Sequence, residues 1–168
     1  MKLKIIRILL VLLLLADMIF IFSNSAQNST ASAETSKGVT ELVAPVIIPE
    51  YAEMNEEEKA VAILSLNAIL REAAHLLQFT PIGFCLYLLL STYTDKETLQ
   101  KYKIPLTLGF GLIYAISDEI HQLFSPGRAF ELFDIFMDIS GVTVGCFGAI
   151  ILLLINKTVQ NKMLCHIR

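Results

Sequence analysis

Residues 133–155, FDIFMDISGVTVGCFGAIILLLI, decide the fold class. After Asp138 the run holds no charged residue. A bilayer core about 30 Å thick needs roughly 20 residues of helix, and this run supplies that length. Without water to satisfy the backbone, a continuous apolar run crosses as a helix. Asp134, Asp138, Gly141 and Gly145 follow i, i+4, i+7 and i+11, so they form one helical stripe. The stripe is acidic at one end and small below. A Gly-x-x-x-Gly pair lets a neighbouring helix approach closely. The stripe is therefore expected to face other helices and to carry both aspartates into the bundle. Asp138 then lies about 6 Å deeper than Asp134.

Three further runs resemble this one: residues 5–22, 73–90 and 104–124. The whole chain of 168 residues is 55% hydrophobic and only 17% charged, with a net charge of −3 and a mean hydropathy of +0.63. A soluble domain is usually about 45–50% apolar and about 25% charged. The excess argues against a soluble enzyme, a nucleic-acid binder or a disordered tail. It predicts an all-α integral membrane protein with four transmembrane helices. Cys85, Cys146 and Cys165 are too few and scattered for a disulfide framework.

Lysine and arginine set the orientation. Lys2, Lys4 and Arg7 precede the first run, Lys96, Lys101 and Lys103 separate the second and third, and Lys157, Lys162 and Arg168 follow the fourth. The other side holds Lys37, Lys59, Arg71 and Arg128. Nine against four predicts both termini in the cytoplasm. Residues 1–22 also have the order of a signal peptide, with a small-residue site at 31–33. The apolar stretch exceeds the usual 7–15 residues and the site lies far beyond it. An uncleaved anchor is the reading carried forward.

Residues 23–70 form a long acidic extracellular segment in this scheme. Up to about residue 54 it is rich in Ser, Thr, Ala and Glu, with Pro45 and Pro49, and reads as flexible. The sequon at residues 28–30 reads as chance. Asn55 followed by Glu58 has capping-box spacing, and Glu56 to Glu58 suit a helix start. Residues 60–70 then form a short amphipathic helix or lead directly into the second span. Residues 71–156 carry spans two to four, and residues 157–168 are a cytoplasmic tail.

Ionisable residues in a span are costly and are functional candidates by default. Here nearly all fall at the outer helix ends. Arg71, His75 and Gln78 share a face of span two. Asp118 and Gln122 share one of span three, with Glu119 turned about 100° away. Ser125-Pro126-Gly127-Arg128 has type II turn chemistry. Asp17 sits in the outer half of span one, either joining the cluster or reaching the headgroups. One reading is a salt-bridge network in which Arg71 and Arg128 pair with Asp134, Asp138, Asp118 or Glu119. The other is a ligand site, favoured by three helix ends converging with more acids than bases.

The stretch YAISDEIHQLFSPGRAFELFDIFMDISGVTVG, residues 114–145, resembles the signature of the VanZ-like family of small bacterial membrane proteins. The pattern D-E-x-x-Q, P-G-R, D-x-x-x-D-x-x-G-x-x-x-G is met by Asp118, Glu119, Gln122, Pro126, Gly127, Arg128, Asp134, Asp138, Gly141 and Gly145. Arg71 and His75 are similar to a second family block, and the serine-rich exit at residues 22–27 is a weaker echo. Glu72 stands where the family often has lysine, and Gln78 and Phe79 where it often has an acid and a tyrosine. A mechanism needing those groups is not carried over. The resemblance implies four-helix architecture and an association with resistance to teicoplanin, a lipoglycopeptide, but no reaction.

Three functions follow from these residues, beside a structural or assembly protein whose charges only hold helices together. The cluster could bind a lipid headgroup, a lipid-linked cell-wall precursor or a lipoglycopeptide, with arginines on phosphate or carboxylate. It could be a membrane-embedded enzyme with His75 as general base. Glu72-x-x-His75 and Asp118-x-x-His121 repeat a metal-site spacing, but the departure at Glu72 argues against a family metal site there. No metal and no other cofactor is expected. A proton-coupled transporter would need acids at mid-membrane, which spans two to four lack. Phosphate-binding, C-x-x-C and G-x-S-x-G motifs are absent. Membrane lipids are the expected partners, nucleic acid is not, and homo-oligomerisation stays open.

Overall fold

The structure, a computed structural model, describes residues 1–166, excluding the side chains of Ser29, Ala31 and 158–166. Arg168 and the side chains of Lys162 and Cys165 therefore lie outside the described residues. Five α-helices and no strand occur among the described residues: α1 Lys2–Ser25, α2 Ser29–Ile47, α3 Glu56–Ser91, α4 Glu97–Gln122 and α5 Leu132–His166, with a 3-10 turn at Tyr51–Glu53. The chain is all-α.

Among the described residues, three helices are long and apolar enough to cross a membrane: α1, α3 and α5 over Leu132–Lys157. The third run, residues 104–124, lies in α4. That helix has the length but not the apolarity, because Thr107, Ser117, Asp118, Glu119, His121 and Gln122 dilute it.

Helices α3 and α5 form the centre. Their backbones touch at glycines: a Cβ on Gly141 would meet the Leu76 carbonyl, one on Gly145 the Thr80 carbonyl, and one on Gly83 the Val142 carbonyl. Close approach of this kind is what small residues permit between membrane helices. Around that seam Ile21, Phe79, Ile82, Ala115 and Val142 form a core drawn from α1, α3, α4 and α5. Outward, α1 exposes Leu9, Leu12 and Leu13, and α5 exposes Phe147, Ile151 and Leu152. An apolar surface this extensive matches lipid contact better than water.

The bundle has a basic and an acidic end. At the basic end Arg7 donates from Nε to Thr92 Oγ1 at 2.9 Å and from Nη2 to the Thr92 carbonyl at 2.7 Å. Its guanidinium lies 3.8 Å over the Tyr93 ring. Lys103 is nearby, its Nζ donating to Ser91 Oγ at 3.4 Å. The ends of α1 and α4, and the starts of α5 and of the membrane half of α3, meet at the acidic end.

The segment expected to be flexible is largely helical. Helix α2 covers residues 29–47 and packs on α3 through Thr40 and Ala44, both fully buried. Thr40 donates to Asn67 Oδ1 at 3.0 Å. The Ser/Thr-rich composition hid this small-residue pair at i, i+4. Residues 60–70 are not a separate helix but the first turns of α3. That helix opens with both capping-box bonds in place, from the Glu58 amide to Asn55 Oδ1 at 2.9 Å and from the Asn55 amide to Glu58 Oε2 at 2.8 Å. At 36 residues α3 is about 54 Å long, well beyond a bilayer core.

Candidate functional site at the acidic end of the bundle

The acidic stripe of α5 faces α3. His75 Nδ1 lies 3.0 Å from Asp138 Oδ1, and His75 Nε2 lies 3.5 Å from Asp134 Oδ2. One imidazole thus spans two carboxylates spaced i, i+4. Helix α4 brings two more acids. Asp118 Oδ2 accepts from Ser25 Oγ at 2.7 Å and from Gln122 Nε2 at 3.1 Å. Glu119, turned to another side, accepts the Glu131 backbone amide at 2.8 Å and so ties the end of α4 to the start of α5.

All four acids are buried: Asp138 and Glu119 are 0% exposed, Asp118 3% and Asp134 4%. Each also has one carboxylate oxygen with no hydrogen-bond partner, namely Asp138 Oδ2, Glu119 Oε1, Asp118 Oδ1 and Asp134 Oδ1. Buried polar atoms in native proteins are mostly paired. Four such acceptors gathered at one end of the bundle make this cluster the candidate site.

The arginines do not lock the cluster as the salt-bridge reading expects. Arg71 pairs at the rim with Glu131 at 3.3 Å and Glu72 at 3.5 Å, and its side chain stays about half exposed. Arg128 forms no ion pair among the described residues, and its Nη1 donates to Gln122 Oε1 at 3.2 Å. Its Nε is buried without a partner. The loop aims it: Gly127 has φ 77°, as a type II turn requires, and the Arg128 amide closes on the Ser125 carbonyl at 3.2 Å.

Both arginines open on water-sized space. A cleft of about 350 Å³ is lined by Arg71, His75, Gln78, Gln122 and Arg128, with Asn24, Gln27 and the α2 residues Ser32 and Ser36 across from them. A smaller one of about 200 Å³ shares Ser32, Ser36, Arg71, Gln122 and Arg128 and reaches Asp134.

The structure thus brings together Arg71, His75, Asp118, Glu119, Gln122, Arg128, Asp134 and Asp138. It leaves Asp17 outside their hydrogen-bond network, with Oδ2 buried and unpartnered. His121 stacks on Phe22 with ring centroids 3.8 Å apart. No group of three or more His, Cys, Asp or Glu among the described residues is arranged to hold a metal ion. Ser25, Ser125, Glu131 and the face of α2 were not foreseen as site residues. Ser25 belongs to the serine-rich exit of α1, the one signal that pointed to it. Ser125 donates to the Ser25 carbonyl at 3.1 Å and fixes the turn against α1.

The family model described as VanZ/LLP1 matches residues 9–154, which includes every residue of this cluster. The chain belongs to the VanZ/LLP1 family. Comparison with curated proteins and with solved structures finds no match. With three helices apolar enough to span and a VanZ/LLP1 domain over most of its length, the protein is a VanZ-type cell-envelope membrane protein. The glycine seam, the acidic cluster and α2, which lines one wall of the cleft, all lie within the matched residues.

Proposed function

We propose that the acidic end faces outward and binds the anionic part of an envelope ligand at the outer leaflet. In this reading α4 is a fourth span, both termini are cytoplasmic, and residues 23–70 are external. The ligand is a lipid headgroup, a lipid-linked cell-wall precursor or a teicoplanin-type lipoglycopeptide. Arg128 is the observation that carries the reading: a half-buried guanidinium beside four buried acids that pairs with none of them. A guanidinium presents a donor fork suited to phosphate or carboxylate. Arg71 stands on the same cleft as a second cation. Below them His75 engages Asp134 and Asp138, so these two acids are held by the imidazole and not by Arg128.

The test is antibiotic susceptibility of a sensitive Gram-positive host. Empty vector, wild type, Arg128→Ala and Asp138→Asn are compared at membrane levels matched by immunoblot. Teicoplanin protection by wild type that is lost in both variants supports the reading. Full protection by Arg128→Ala removes that residue from the role. Absence of protection by well-expressed wild type rejects the antibiotic as ligand and leaves the lipids.

A second reading is favoured by His75, which lines the cleft while Asp138 holds its other face. An imidazole oriented by a buried carboxylate is the arrangement of a general base. A membrane-embedded enzyme on a lipid-linked substrate would lose turnover in His75→Gln while keeping binding.

A further inference from the structure

The cleft has unspent neutral hydrogen-bonding groups as well as cations. Asn24, Gln27, Ser32 and Gln78 all line it, and none of their side chains bonds to another described residue. They come from the end of α1, the linker, α2 and α3, so the array surrounds the space rather than marking one helix face. The four buried acids contribute little to this lining. Asp118, Glu119 and Asp138 are absent from both clefts, and only Asp134 reaches the smaller one. The walls therefore offer two guanidinium groups, one imidazole and several amides and hydroxyls, with apolar Phe20, Val39 and Leu70 beside them.

Such a lining discriminates among anions. A bare phosphate or a phosphodiester with an alkyl group would satisfy the arginines and leave the amides and hydroxyls unpaired. A polyol or sugar on the phosphate satisfies both sets, since each hydroxyl donates and accepts. A few placed polar groups in a partly apolar pocket are what fixes specificity.

We infer that the cleft selects a hydroxyl-bearing phosphoester, such as a glycerol or sugar phosphate, over an anion without hydroxyls, with Ser32 of α2 and Gln78 of α3 reading the hydroxyls. This rests on the anion-binding reading above and names its ligand class. It gives α2 a role as the specificity wall of the site.

The test uses the purified full chain in detergent and counts bound lipid by native mass spectrometry. The probes are phosphatidylglycerol and phosphatidylethanol, which carry the same single charge and differ in hydroxyls. Wild type is expected to hold phosphatidylglycerol about tenfold more tightly, the sum of one or two hydrogen bonds. Ser32→Ala with Gln78→Ala should narrow the preference to about twofold, chiefly by weakening phosphatidylglycerol. Arg128→Gln should weaken both lipids alike. Melting temperatures equal to wild type establish that the variants fold. Competition by free glycerol 3-phosphate identifies a soluble phosphoester as the source, and its failure to compete identifies a lipid headgroup. Equal wild-type affinity for the two lipids, with Arg128→Gln weaker for both, overturns the hydroxyl selection but not the anion site. Unchanged binding of both lipids by Arg128→Gln overturns the anion site and this inference with it.

Discussion

His75 on α3 and Asp138 on α5 are joined at 3.0 Å, at the level where Gly141, one turn further along α5, lets the two helix backbones touch. The hydrogen bond and the glycine contact are consequences of one stripe. The residue that faces α3 at position 141 must be small, so position 138, almost one turn earlier, faces α3 as well. A carboxylate there is buried whatever its chemistry, and His75 is the group the partner helix offers it.

This pairing should be measurable as a coupling. Asp138→Ala, His75→Ala and the double variant form a cycle, read by reversible unfolding in mixed micelles. The expected interaction is about 0.5–3 kcal/mol, the range for residues in direct polar contact. The same cycle with Asp134, at 3.5 Å, should give a smaller value. Additive single losses at Asp138 would mean that the histidine and the aspartate act independently.

Gly145 tests the seam itself. A methyl group there would meet the Thr80 carbonyl and the Phe84 amide, and neither is a flexible side-chain end. Gly145→Ala should cost about 1–3 kcal/mol through forced separation of α3 and α5. Gly109, in the interior of α4, has nothing within 4 Å of its virtual Cβ. Gly109→Ala should be stabilising by about 0.5–1 kcal/mol, because alanine loses less backbone freedom in a helix. Thermal unfolding in one detergent, with both variants side by side, checks the opposite signs.

What the sequence revealed divides along periodicity. The helical stripe of residues 134–145 and the i, i+4 faces of α3 and α4 are local patterns, and they were legible before any coordinates. Arg71 and Arg128 were legible as cleft residues but not in their pairing. Which acid meets which arginine depends on the relative rotation of three helices, which no single periodicity specifies. Helix α2 was missed for a different reason. Its Ser and Thr content is that of a loop, and its docking rests on Thr40 and Ala44, which carry almost no hydropathic signal. Ser25 was hidden because one serine in a serine-rich exit has no local mark of burial. Only the turn from Ser125 back to α1 makes it part of the site.

Ser25 should accordingly matter more than its neighbours. Its hydroxyl is buried and donates to Asp118 Oδ2 at 2.7 Å, a bond to a carboxylate. Ser25→Ala should cost about 1.5–3 kcal/mol, the range for hydrogen bonds to charged groups. Ser23 is exposed and donates only to the Ile19 carbonyl one turn earlier. Ser23→Ala should change stability by less than about 0.5 kcal/mol, as surface substitutions do. Equal effects in the two melts would show that Asp118 does not depend on α1.

The proposed four-span topology turns on α4, because a crossing by that helix would set the parity of the chain. Helix α4 joins both ends of the bundle: Gln100 Nε2 donates to the Leu90 carbonyl at 2.9 Å, and Glu119 accepts the Glu131 amide at 2.8 Å. A helix in contact with both ends runs the length of the bundle beside its neighbours, even though its polar residues lower its apolarity. Those polar residues are turned inward, since Thr107, Asp118, Glu119 and Gln122 are buried while Ile113 and Ile120 are exposed. Single cysteines at Lys37, Asp95 and Lys157, in a background with the native cysteines replaced, report the side directly. In intact cells a membrane-impermeant maleimide should label position 37 and spare 95 and 157, which label only after permeabilisation. If 157 labels from outside while 95 does not, α4 fails to cross, the chain has three spans, and the acidic cluster loses its claim to the outer leaflet.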